Sequence, residues 1–64
     1  MTPAEFAQFK LAMSADADSK QMNARTWHRI ADNVAQYSPG MAARIRAHAE
    51  TLEDLARLGR ELVQ

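Results

Sequence analysis

The chain has 64 residues, 47% of them hydrophobic, with eight Lys and Arg balancing eight Asp and Glu and no cysteine. That size and composition exclude a second domain, a disulfide framework, a cysteine zinc site and a net field drawing the whole chain to nucleic acid. Alanine supplies 13 of the 30 hydrophobic residues, and set against roughly 1.5 kcal/mol of ordering entropy per residue the remaining core comes out near zero.

Thr2-Pro3-Ala4-Glu5 is a helix-start signal: a capping hydroxyl, Pro at the first position and Glu three residues after the cap. A first helix is expected over about 3–14, with Phe6, Phe9 and Met13 on one face and Leu11 nearly opposite. Ser14-Ala15-Asp16-Ala17-Asp18-Ser19 reads as a polar connector, with Asp18 capping the next helix. The second helix is expected over about 19–37 on the stripe Met22, Trp27, Ile30, Val34 and Tyr37. Ser38 and Pro39 then supply a cap and a first helical residue, opening a third helix over about 39–63. Its stripe is Met41, Ile45, Ala49, Leu52, Leu55 and Leu62, with Gly59 the only later breaker. Helix ion pairs are expected from Glu53 to Arg57 and from Arg57 to Glu61.

The expected fold is therefore all-α: a small up-down-up three-helix arrangement on a long helical hairpin, one domain over 1–64, homodimeric. Folding back around Ser38 sets Val34 near Ile45, Ile30 near Ala49, Trp27 near Leu52 and Met22 near Leu55. The first helix would lie in the groove between the other two. Leu58, Leu62 and Val63 then overhang the start of the second helix, and with Leu55 they are the candidate dimer seam.

Charge is segregated along the chain. Residues 20–48 hold Lys20, Arg25, Arg29, Arg44 and Arg46 against Asp32 alone, while 1–19 and 49–64 are each acidic by two. The bend is the basic pole, and such asymmetry can guide docking antiparallel to another copy or onto an acidic surface.

Catalytic chemistry is not legible. There is no cysteine nucleophile and no glycine-rich phosphate loop, and the three serines serve as caps and connector. His28 and Asp32 stand four apart, a spacing that suits an oriented imidazole or two metal ligands. A third ligand would have to come from His48 or another chain, so His28 reads as a boundary histidine paired with Asp32. No catalytic residue, cofactor or metal is expected. No apolar run approaches the ~20 residues of a membrane span, and the amino terminus has no signal-peptide core, so a cytoplasmic protein without a membrane partner is expected.

The remaining reading is a small non-enzymatic protein–protein interaction module, an adaptor, regulator or inhibitor of the kind bacteria and phages carry. Its partner-binding candidates are Arg25, Trp27, Arg29, Tyr37, Met41 and Arg44, because Trp, Tyr and Arg anchor interfaces. The phase of Trp27 and Tyr37 also suits a core. As an alternative, residues 30–45, with Ile30-Ala31-Asp32 before Val34 and Ser38-Pro39 before Ala42, Arg44 and Ile45, resemble a helix-turn-helix. That resemblance implies a DNA-binding regulator using Arg44 and Arg46. The segment departs from the motif in lacking a glycine after Val34 and in a turn about one residue too long.

Overall fold

The computed structural model describes residues 1–64 and contains two helices, α1 (Pro3–Val34, 32 residues) and α2 (Pro39–Leu62, 24 residues). They form one antiparallel hairpin, a rod of 52 × 14 × 13 Å. The expected three-helix arrangement is thus corrected: residues 14–19 are not a connector but the middle of α1. That segment holds turn formers but no Gly or Pro, and Ala15 and Ala17 are strong helix formers. Breaking the helix there would create two more ends with unpaired backbone groups. Asp16 instead forms an ion pair with Lys20 one turn on, and Asp18 reaches across to Arg60 at 3.0 Å.

The start of α1 follows its signal. Thr2 Oγ1 accepts from the Glu5 N–H at 3.1 Å, and the Thr2 N–H donates back to Glu5 Oε1 at 3.3 Å, a reciprocal capping box. The bend also forms where expected, although α1 ends three residues earlier than the stripe suggests. The N–H groups of Tyr37 and Ser38 both donate to the Val34 carbonyl, at 2.9 and 2.8 Å. Ser38 Oγ accepts from the Met41 N–H at 3.2 Å and caps α2. No residue in the bend has positive φ, and Gly40 lies inside the first turn of α2, so the turn does not depend on a glycine.

What joins the helices is alanine. Ala17, Ala24 and Ala31 on α1 and Ala42, Ala49 and Ala56 on α2 are buried, each set at intervals of seven, and with Gly59 they are the only buried residues. A seven-residue repeat returns to one side of a pair of gently supercoiled helices, so each set forms a straight seam. Methyl groups in place of larger side chains leave room for the two backbones to pack closely, since helix separation depends on the side chains at the contact. Gly59 extends the α2 seam, its α-carbon facing Ala17: a Cβ built there would lie 3.5 Å from the Ala17 methyl. No large side chain is fully buried.

At ~1.5 Å per residue α1 is about 48 Å long and α2 about 36 Å. Val63, at the end of α2, borders a shallow recess of about 400 Å³ with Ala7, Lys10, Leu11 and Ser14. Pro3 to about Lys10 therefore project past α2 with no helix beside them. The segment expected to fold back into the groove points away from it.

Candidate functional site

The alanine seam divides the hairpin into two unlike edges. On one, α1 presents Asp18, Gln21, His28 and Asp32, and α2 presents Arg46, Glu53 and Arg60. His28 Nε2 and Glu53 Oε1 lie 2.5 Å apart, Arg46 donates to Asp32 at 3.0 Å, and Arg60 donates to Asp18 at 3.0 Å and Gln21 at 3.5 Å. These pairs are partly exposed, so each contributes ~0–1 kcal/mol. Their spacing holds the two helices in one register along nearly the full length of α2.

The expected ion pairs on α2 are rearranged. Glu53 is drawn across the hairpin to His28 instead of along the helix to Arg57, and Arg57 pairs with Asp54 at 3.1 Å. His28 and Asp32 part company as well, because each faces its own partner on α2. His48 turns the other way, with its ring edge-on to Trp27 at 4.8 Å. No three His, Cys, Asp or Glu side chains converge on a point where a metal ion could sit.

The opposite edge is apolar towards both ends of α1 and polar at its middle, where Asp16, Lys20 and Asn23 stand. On α1 the residues beside the seam run Phe6, Phe9, Met13, Asp16, Lys20, Asn23, Trp27, Ile30, Val34 and Tyr37, in alternating steps of three and four. On α2 they run Met41, Ile45, His48, Leu52, Leu55, Gly59 and Leu62, with the same alternation. The Trp27–His48 contact shows that the two rows share one side of the hairpin. Val34, Ile45 and Leu52 are half-buried, while Phe6, Phe9, Ile30, Met41, Leu55 and Leu62 are exposed. Alternating three-four steps are the spacing at which helices pack on one another, and neither helix of this chain covers this edge.

The sequence-derived candidates fall around this face. Trp27 is on it and 37% exposed; Tyr37 and Met41 stand at the bend, 87% and 55% exposed. The phase that suited Tyr37 to a core is thus overruled by the early end of α1, which leaves it in the turn. Arg25, Arg29 and Arg44 are exposed on the outer sides. Met22, expected on the stripe, is 66% exposed, because it lies on the far side of α1 from α2. Of the candidate dimer seam, Leu55 and Leu62 lie on the apolar edge, Leu58 points outward and Val63 closes the end of the alanine seam.

The sixteen-residue segment resembling a helix-turn-helix bridges two helices packed side by side. Helices of about 48 and 36 Å crossing steeply could not fit in a rod of 14 × 13 Å cross-section, and a helix-turn-helix crosses at ~90–120°. Arg46 is engaged with Asp32, and Arg44 is exposed.

Reasoning from large apolar residues misses the alanine seam. Its signal was available in the sevenfold spacing of Ala17, Ala24 and Ala31 and of Ala42, Ala49 and Ala56. Comparison with protein-family models, with curated proteins and with solved structures gives no match.

Proposed function

We infer that the protein is a non-enzymatic interaction module that works by stoichiometric contact with other chains. The observation that carries this reading is the inversion of burial: the interior is alanine and glycine, while twelve large apolar residues are at least 37% exposed. Scattered apolar residues on a surface are ordinary, but Phe6, Phe9, Trp27, Ile30, Met41, Leu55 and Leu62 gather on one edge of the hairpin, and exposed apolar patches of that kind mark sites of association. The polar groups point the same way. They are spent on pairing α1 with α2 along one edge and do not converge in a cavity.

A regulated or inhibited partner protein would meet the bend. Tyr37 and Met41 project there, with Arg44 one turn into α2 and Arg29 and Arg25 further back along α1 as basic residues on the outer sides, the residue types that anchor interfaces. An acidic partner surface is favoured by the excess of positive charge over residues 20–48.

Affinity capture from the native host tests this. Wild-type chain should retain one partner in fixed ratio, and Tyr37→Asp or Met41→Asp should release it without changing helical content. Equal retention by wild type and both variants, or no partner at all, would refute the assignment to the bend.

A further inference from the structure

The apolar edge has a length, a register and a charge pattern, and together these specify an occupant. We propose that it takes a second copy of this chain, related by a two-fold axis across the middle of α1, so that the projecting amino-terminal segment of each copy lies in the apolar groove of the other. This rests on the reading of the protein as an interaction module and adds which chain covers which face.

Three observations lead there. The first is area. A compact 7.2 kDa chain exposes about 4,100 Å², whereas this one exposes 4815 Å². The excess of roughly 700 Å² comes from the extended 52 × 14 × 13 Å rod, whose long apolar edge is left uncovered and would be buried by a second rod laid along it.

The second is the α1 row itself, which is nearly symmetric in character about residue 18, with only Met13 and Asn23 unlike. Laid antiparallel on a copy of itself, α1 sets Phe6 opposite Ile30 of the second copy, Phe9 opposite its Trp27, Met13 opposite its Asn23 and Asp16 opposite its Lys20. Aromatic and aliphatic groups meet at both ends, and two opposite-charge pairs meet at the centre. Slipping one heptad either way sets Asp16 against Trp27 or Lys20 against Phe9, stranding a charge on an apolar partner. Charge therefore selects a single register, as polar seam residues do in coiled coils.

The third is shape. In this register the projecting residues 3–10 of the second copy reach a groove walled by Trp27 and Ile30 on α1 and by Ile45, His48 and Leu52 on α2. That groove is where three-helix packing was expected within one chain; here it is completed between chains, twice. The acidic first 19 residues of one copy approach the basic bend of the other. Placing both bends at the same end would instead bring the two basic poles together and leave both projecting segments uncovered. The arrangement is closed and isologous, so it stops at two copies.

The test uses two single variants of the full chain, Asp16→Lys and Lys20→Asp. Each places four like charges at the dimer centre and should weaken self-association by about tenfold or more, read by sedimentation equilibrium against a dimeric wild type. Mixed in equal amounts, they should recover dimers that native mass spectrometry shows to be mostly heterodimers, with recovery of any helical circular dichroism lost in the separate variants. The pair formed within α1 cannot cause that recovery, since each variant carries only one sign of charge at these positions. A monomeric wild type, heterodimers at no more than the statistical half, or open-ended oligomers would overturn the proposal. A monomer that still captured a partner through Tyr37 would overturn this assembly alone and leave the interaction reading standing.

Discussion

Replacing Ala24 with leucine tests the alanine seam most directly. Ala24 has no exposed surface and stands in the middle of α1's buried row. Leucine adds three carbon atoms where two backbones approach as closely as methyl groups allow, so the helices must separate or the side chain must leave its preferred rotamers. Overpacking of this kind costs ~1–3 kcal/mol. Separation would also stretch the neighbouring His28–Glu53 contact of 2.5 Å. A chain this size has roughly 3–10 kcal/mol of total stability at ~0.05–0.15 kcal/mol per residue, and ~1 kcal/mol moves the melting temperature of a small domain by about 4–8 °C. A fall of about 4–24 °C is therefore expected in a thermal melt followed by circular dichroism. Ala47→Leu on the outer, exposed side of α2 is the control and should change stability by less than ~0.5 kcal/mol. If the two variants melt together, or if Ala24→Leu melts higher, the alanine seam is not what sets the helix separation.

Other perturbations read other parts of the hairpin. Gly59→Ala should stabilise the chain by up to ~1 kcal/mol, because helix propensity improves and the added methyl would meet Ala17 at an ordinary contact distance of 3.5 Å; a lower denaturation midpoint would refute that. Ser38→Ala removes the cap of α2 and should cost ~1 kcal/mol by chemical denaturation, whereas no loss would mean that the bend is held by Pro39 and the Val34 carbonyl alone. Thr2→Ala should loosen only the projecting end of α1, seen as faster amide exchange over residues 3–8 with the alanine-seam amides unchanged. A double-mutant cycle of His28→Ala and Glu53→Ala should give a coupling below ~1 kcal/mol, since both side chains are over a third exposed; a larger value would mark a pair that locks register by energy as well as by position.

The functional reading depends on the same division between edges. Ion pairs close the polar edge within one chain, so it has little left to offer a partner. The apolar edge has the spacing to receive helices and no helix on it. Tyr37 and Met41 stand at the bend end of the apolar edge, beyond Ile30 where Phe6 of the proposed second copy would lie, so the proposed self-association and partner binding need not compete.

Local signals were legible in the sequence because their chemistry is local. Thr2-Pro3-Ala4-Glu5 satisfies the donors at its own helix end, and Ser38-Pro39 does the same for α2, so both starts and the hairpin bend follow from a few residues. The pairing of stripes was legible only in outline: folding about Ser38 does lay α1 beside α2, but Trp27 meets His48, one turn from the expected Leu52, and Met22 faces away from α2 and Leu55. Residues 14–19 were not legible: serine and aspartate suit a cap or a helix interior, and the choice depends on Asp18 finding Arg60 and on Ala17 finding Gly59, both more than forty residues away. The core was not legible from apolar bulk either, because bulk marks what water disfavours and does not show how close two backbones approach. By itself, then, the sequence determined the helix starts, the single bend and the separation of charge. Only the tertiary structure decided that two helices form instead of three, that alanine lies inside, and that the large apolar side chains are left exposed. The physical reason is that small side chains give the closest backbone approach, and the geometry of that approach sets which face of each helix remains uncovered.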